Sequence, residues 1–317
     1  MSEFSPWTLF TDVGIISLLL LLGKLIRVKV QLAQRYFIPP SLMAGFMGLV
    51  FGPGGLDWLP LSNNMGTYAS ILIAFIFGCL PFASESRNSK RGSRVRRMWI
   101  YSQTGMLWQW AFGALVGISI LSVCWPVAPY FGLSLPSGFC GGHGTAAAIG
   151  QAFSKMGGDD MMTLAMTCAT VGILCSVFIG LALVKWGTKK GYTSYLTTFE
   201  ELPQELRTGL LPTEKRSSMG ESSTSAISID SLAFNLSIIA MVALGGYGIS
   251  KGVSHIMPQL EMPVFSCAFV FGIMMHHVFK KTGALHYTSP RIIGHLSGAF
   301  TDFLVAFGIS AIKVSVV

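Results

Sequence analysis

Between residues 137 and 145 the chain reads Ser137-Gly138-Phe139-Cys140-Gly141-Gly142-His143-Gly144-Thr145, and Ala146-Ala147-Ala148-Ile149-Gly150 follows at once. Four glycines in seven residues interrupt a helix within apolar sequence and set backbone N–H and C=O groups free. Lipid offers those groups no partner, so such a break is tolerated only where it lines a cavity. Two half-helices meeting at an unwound turn aim a positive helix end at an anion and bare carbonyls at a cation. The implied chemistry is the carriage of an anionic solute with a coupling cation.

Side chains near the break fit that chemistry, each beside a plainer role. Gly141, Gly142 and Gly144 shape the turn or serve close helix packing. His143 contacts the solute or caps the turn as a structural residue. Thr145 is a plausible N-cap for the second arm, and its hydroxyl suits a hard cation such as Na⁺. Cys140 stands at the turn beside them. In the next apolar run Thr167, Cys168 and Thr170 either bond back to their own helix or face the break. Asp302 is an acid within an apolar run, and an intramembrane carboxylate is a functional candidate by default. The cation set is then Cys140, Thr145, Thr167 and Asp302, and the solute set Gly141, Gly142, His143, Gly144, Thr145 and Thr170. An intramembrane enzyme pairing His143 with Asp302 or a cysteine is the alternative from another class, but no HExxH or GxSxG signature accompanies them. His276-His277 is a metal pair only superficially, because adjacent helical residues point apart. Gln103, Thr104 and Gln109 are polar enough to face the interior of a bundle.

The elements that must position these residues follow from composition. Of 317 residues 51% are hydrophobic and 11% charged. Apolar runs predict spans at 8–25, 37–54, 67–84, 98–124, 160–184, 231–252, 262–279 and 294–314, with the glycine-rich segment, 128–157, between the fourth and fifth. The pattern predicts an all-α polytopic membrane protein of about eight transmembrane helices and one re-entrant hairpin. The net charge of +8 sits mostly in short loops, where it orients the chain, and this argues against nucleic acid as a partner. The six cysteines fall in or beside apolar runs without metal-like spacing and read as small core residues. Glu3 precedes the first run and no small-residue cleavage site follows it, which predicts a retained span.

Charge also predicts the path. Lys24, Arg27, Lys29 and Arg35 follow the first span and Arg87, Lys90, Arg91, Arg94, Arg96 and Arg97 the third, whereas the loop after the second holds Asp57 and no basic residue. Both basic loops belong in the cytoplasm, which puts the N-terminus outside. If 128–157 enters and leaves on one face, Lys185, Lys189, Lys190, Lys280, Lys281 and Arg291 are cytoplasmic too; a single crossing puts Lys185, Lys189 and Lys190 on the wrong face and leaves Asp159 and Asp160 cytoplasmic. The predicted arms are bounded by Pro129 and Pro136 and run from Thr145 to Lys155. Residues 190–230, rich in serine and mixed charge, read as a cytoplasmic linker between a first repeat, 1–189, and a partial second repeat, 231–317. Ile38-Pro39-Pro40 with Gly45 is echoed by Met262-Pro263 with Gly272, and five spans before the second block invert it.

The chain resembles the bacterial sodium/glutamate symporter family. The residues that carry the resemblance are Tyr36-Phe37-Ile38-Pro39 with Ala44-Gly45, the run Gly141-Gly142-His143-Gly144-Thr145 with Ala147, and Ala165-Met166-Thr167-Cys168-Ala169-Thr170-Val171-Gly172. The resemblance implies two inverted five-span repeats, each with a re-entrant hairpin, divided into a dimerising scaffold and a mobile transport part. It implies glutamate as substrate, sodium as coupling ion, no cofactor, a homodimer, and a bacterial inner membrane with a periplasmic N-terminus. Here the second repeat stops after its third span at Val317, so the rest is expected from a longer reading frame or another chain. Pro81 and Asp302 depart from the family pattern and leave open another dicarboxylate carrier, a cation/proton antiporter, or a non-transporting subunit.

Overall fold

The computed structural model describes residues 5–83, 92–155, 158, 160–192, 204–220, 224, 227–257 and 262–312. Arg87, Lys90, Arg91, Asp159, Val317 and, from the stretch expected as a linker, residues 193–203, 221–223, 225 and 226 lie outside this set. The described residues form helices and turns, without a strand among them.

The helix ends follow local chemistry. Helix α1 (Pro6–Lys29) opens on a Ser5 cap with proline in its first turn and closes at Val30. A short α2 (Gln31–Arg35) and a turn through Phe37, at positive φ, lead to α3 (Pro40–Phe51). The predicted span 37–54 is trimmed at both ends to 12 residues. Pro39-Pro40 forces extended backbone before the helix, and Gly52-Pro53-Gly54-Gly55 stops it. Helix α4 (Met65–Ala83) keeps Pro81 in its last turn. Helix α5 (Gly92–Val116) runs through one π turn, Gly117–Leu121, into α6 (Ser122–Cys124). A 3₁₀ turn at Pro129–Leu133 leads into α7 (Ser134–Phe139), then α8 (Gly142–Lys155) and α9 (Met161–Lys189). A short α10 (Gln204–Thr208) lies beside α1, where the Lys24 ammonium donates to Gly209 O at 2.8 Å. Helices α11 (Ser231–Ile256), α12 (Val264–Thr282) and α13 (Pro290–Ser310) complete the described chain.

Among the described residues six helices are long and apolar enough to cross a membrane: Pro6–Lys29, Met65–Ala83, Val95–Cys124, Met161–Thr188, Ser231–Ile256 and Pro290–Ser310. Helix α3 is too short to join them, and α12 carries His276, His277, Lys280 and Lys281 in its last turns. The His276 ring packs edge-on against Phe82.

Two buried clusters organise the bundle. One gathers Ile16, Leu42, Ala69, Ile73, Ala147, Met166 and Phe307; the other unites Cys79, Phe82, Ile239, Val242 and Ile293. Buried Asn235 fixes α13 relative to α11 by accepting from the Ser289 amide at 3.0 Å and donating to Ser231 O at 2.8 Å.

Candidate functional site

Helices α7 and α8 fold back on one another. Near the ends of the two arms the Tyr130 and Phe153 rings meet at 5.1 Å, and a Cβ added at Gly158 would lie 3.0 Å from the Tyr130 hydroxyl. The break itself is two residues, Cys140 and Gly141, followed by Gly142 at φ +65°. Only glycine adopts that conformation readily, and it lets the second arm start at once. This corrects the expectation for Thr145: α8 begins at Gly142, and the Thr145 hydroxyl, one turn inside, donates to Gly141 O at 3.2 Å instead of capping the helix. The N–H groups of Gly142, His143 and Gly144 have no carbonyl partner within the helix.

Small residues set the depth of this turn. Gly138 presses on the α9 backbone at Ala165, Cys168 and Ala169, and Gly144 sits against the Ile73 side chain. Ile73 is the ninth residue of α4, about 12 Å along it at 1.5 Å per residue, so the tip reaches the middle of a helix long enough to span. Gly113 of α5 and Gly117 at the start of the π turn take the turn at Gly132 in backbone-to-backbone contact.

His143 is buried in the first turn of α8, and its Nε2 is 2.9 Å from Thr170 Oγ1. That hydroxyl spends its proton on Met166 O at 3.0 Å. Nε2 must therefore carry the hydrogen and donate it to Thr170, which leaves Nδ1 as a lone-pair acceptor, buried and without a partner among the described residues. A buried acceptor left open is costly unless something donates to it. Gly308 on α13 closes over the ring, its position 3.2 Å from His143 Cβ for an added Cβ.

The model of the sodium/glutamate symporter family matches residues 8–315. The chain belongs to that family. No match to it was found among curated proteins or among solved structures. The sodium/glutamate symporters are transporters, not enzymes; they carry glutamate with sodium as the coupling ion and use no cofactor.

In this symporter Cys140, His143, Thr145 and Thr170 lie around one turn. The Thr167 hydroxyl donates back along α9 to Thr163 O at 2.8 Å, as that of Thr170 does to Met166 O. Asp302 is not drawn to the turn; it is exposed on α13, six residues before Gly308. Among the described residues no group of three His, Cys, Asp or Glu side chains gathers to hold a metal. Gln109 belongs at the site, its carbonyl oxygen accepting from the Cys140 thiol at 2.8 Å. Its polarity within an apolar run was the available signal.

A cavity of about 590 Å³ opens beside the second arm. It is lined by Ala148 and Ala152 of α8, with Ser70 and Phe75 of α4 and Tyr247 and Ser250 of α11 among its other walls. The sequence-predicted site residues do not line it, since it forms where the second arm meets helices distant in sequence.

Proposed function

We propose that the chain takes up glutamate with sodium across the bacterial inner membrane by alternating access, with its N-terminus in the periplasm. The observation that carries this reading is the folded-back pair α7–α8, whose tip stands at mid-height of α4 with free N–H groups and an open imidazole nitrogen. Read as a re-entrant hairpin, it offers the N–H groups of Gly142 to Gly144 to a substrate carboxylate. The substrate ammonium donates to His143 Nδ1, with Thr170 holding the ring. Sodium sits by the carbonyls of the break and the hydroxyl of Thr145, where Cys140 and Thr167 complete the surroundings. Asp302 stays outside this arrangement.

The packing supports a division into two bodies. Helix α5, the hairpin and α9 form the moving part, joined through Gly132 and Gly138. Helices α1, α3, α4 and α11–α13 form the stationary part, through which we propose that two copies pair. Between them lie small or pliable contacts: Gly144 on Ile73, Gly308 on His143, and Gly66 on Met162. The cavity beside α8 gives the second arm room to move. Tryptophan at Ala148 should fill that room and slow uptake about tenfold while leaving sodium-dependent glutamate binding intact, as compared by filter binding and vesicle uptake.

Uptake of labelled L-glutamate into proteoliposomes holding the full-length protein, driven by a sodium gradient, tests the reading. Thr145→Val keeps the shape of the side chain but removes a cation ligand and leaves Gly141 O without its donor. It should lower uptake by at least about tenfold, the effect of roughly one charge-assisted hydrogen bond, with membrane insertion unchanged. Uptake indifferent to sodium in the unaltered protein would overturn the proposal.

A further inference from the structure

Asp12 lies in α1, far in sequence from the hairpin, and is fully buried. Among the described residues no salt bridge reaches it. Its charge is met instead by neutral donors. Oδ1 accepts from the Ser62 amide at 2.9 Å, and Oδ2 accepts from the Ser62 hydroxyl at 2.6 Å and the Tyr68 hydroxyl at 3.1 Å. The Ser62 hydroxyl in turn accepts from the Asn64 amide at 3.2 Å, and Asn64 O accepts from the Tyr68 amide at 3.1 Å. A buried carboxylate is costly to keep, and within a membrane span it calls for a reason beyond packing.

The reason lies in what Tyr68 touches. Its ring meets Phe307 at 5.3 Å, edge to face, and the next residue, Gly308, is the one that closes over His143. Two residues before Tyr68, Gly66 abuts Met162 at the start of α9. The first turn of α4 is thus the wall against which both α9 and, through α13, the hairpin bear.

We infer that Asp12 is a positioning residue for transport, a pin that locks the loop before α4 and the Tyr68 ring onto α1 and so holds the stationary wall in register with the hairpin. The role requires an acceptor on both oxygens. Asparagine turns an amide N–H₂ either at the Ser62 N–H or at two hydroxyls that already donate, so one set of bonds is lost in either orientation.

This inference rests on the transport reading for its kinetic arm and not for its structural arm. In proteoliposomes, Asp12→Asn should lower the maximal rate of uptake by at least about tenfold while the KM for sodium and for glutamate stays within about twofold, because the pin acts on the moving step and not on the ligands. Tyr68→Phe, which keeps the ring on Phe307 and removes one bond, should lower the maximal rate by roughly threefold without moving either KM. In the purified full-length protein, Asp12→Asn should speed hydrogen exchange at the Ser62 and Asn64 amides by about tenfold or more and leave α11 protected. A wild-type maximal rate in Asp12→Asn overturns the pin, as does a raised KM at unchanged rate, which would make Asp12 a ligand-side group. If Asp12→Asn does not fold, Tyr68→Phe decides, and a wild-type rate there overturns it. Sodium-independent behaviour of the unaltered protein sinks the transport reading alone, and the exchange measurement then settles the pin.

Discussion

Alanine at position 143 is expected to reduce sodium-driven glutamate uptake about a hundredfold, which corresponds to about 2.7 kcal/mol. The magnitude follows from a hydrogen bond between a charged donor and a buried acceptor, worth about 1.5–3 kcal/mol. Stability should fall less than activity, because the Thr170 hydroxyl keeps its bond to Met166 O when the imidazole is gone. Two further variants separate the ring's nitrogens. Glutamine can place an amide N–H near the position of Nε2 and keep the Thr170 contact, but it offers nothing at Nδ1. Asparagine is too short to reach Thr170 yet sets a polar atom near Nδ1. If Nδ1 receives the substrate ammonium, His143→Asn retains more uptake than His143→Gln; if His143 is only a structural cap tied to Thr170, the order reverses. Vesicle uptake at saturating sodium, with glutamate KM measured for each variant, reads the difference.

The break at Cys140-Gly141 was legible from the glycine cluster, because four glycines in seven residues are costly within a helix, with close helix packing as the other reading. What each glycine does was not. Gly142 adopts the left-handed conformation, whereas Gly138 and Gly144 are small because α9 and Ile73 occupy the space. That distinction depends on partners 27 and 71 residues away, at Ala165 and Ile73, which local sequence does not name. The placement of Thr145 at the helix start failed for a related reason: a threonine is a good cap, but a glycine at positive φ three residues earlier starts the helix sooner. The ends of α3 were written in Pro40 and Gly52, and the expected span overran them by following hydropathy alone. Asp12 stood in the sequence as an acid within the span expected over 8–25, but its partners did not show, since its donors come from a loop 50 residues later. Gln109 was visible as a polar residue in an apolar run, but only the fold sets it against Cys140.

Valine at position 138 should detach the first arm of the hairpin from α9, and this is the substitution expected to do the most damage to the fold of the site. An added Cβ meets the Ala169 amide nitrogen, and it lies 2.7 Å from Ala165 O and 2.7 Å from the Cys168 carbonyl carbon. These are backbone atoms of a regular helix, so no rotamer change relieves the clash and one of the two helices must move. Overpacking of this kind costs about 3 kcal/mol or more, because rigid backbone takes the strain. A shift of α7 also carries Cys140 away from Gln109 and draws the start of α8 off α9, which breaks the His143–Thr170 bond. Gly138→Val should therefore abolish uptake and lower the melting temperature in detergent by about 5 °C or more. Gly105→Ala is the control: on α5 an added Cβ there meets nothing within 4 Å, so helix propensity alone applies and the change should be neutral or slightly stabilising, by up to about 1 kcal/mol. If Gly138→Val melts and transports like the Gly105→Ala protein, the arm is not held on α9 by that contact, and the close crossing that positions His143 loses its foundation.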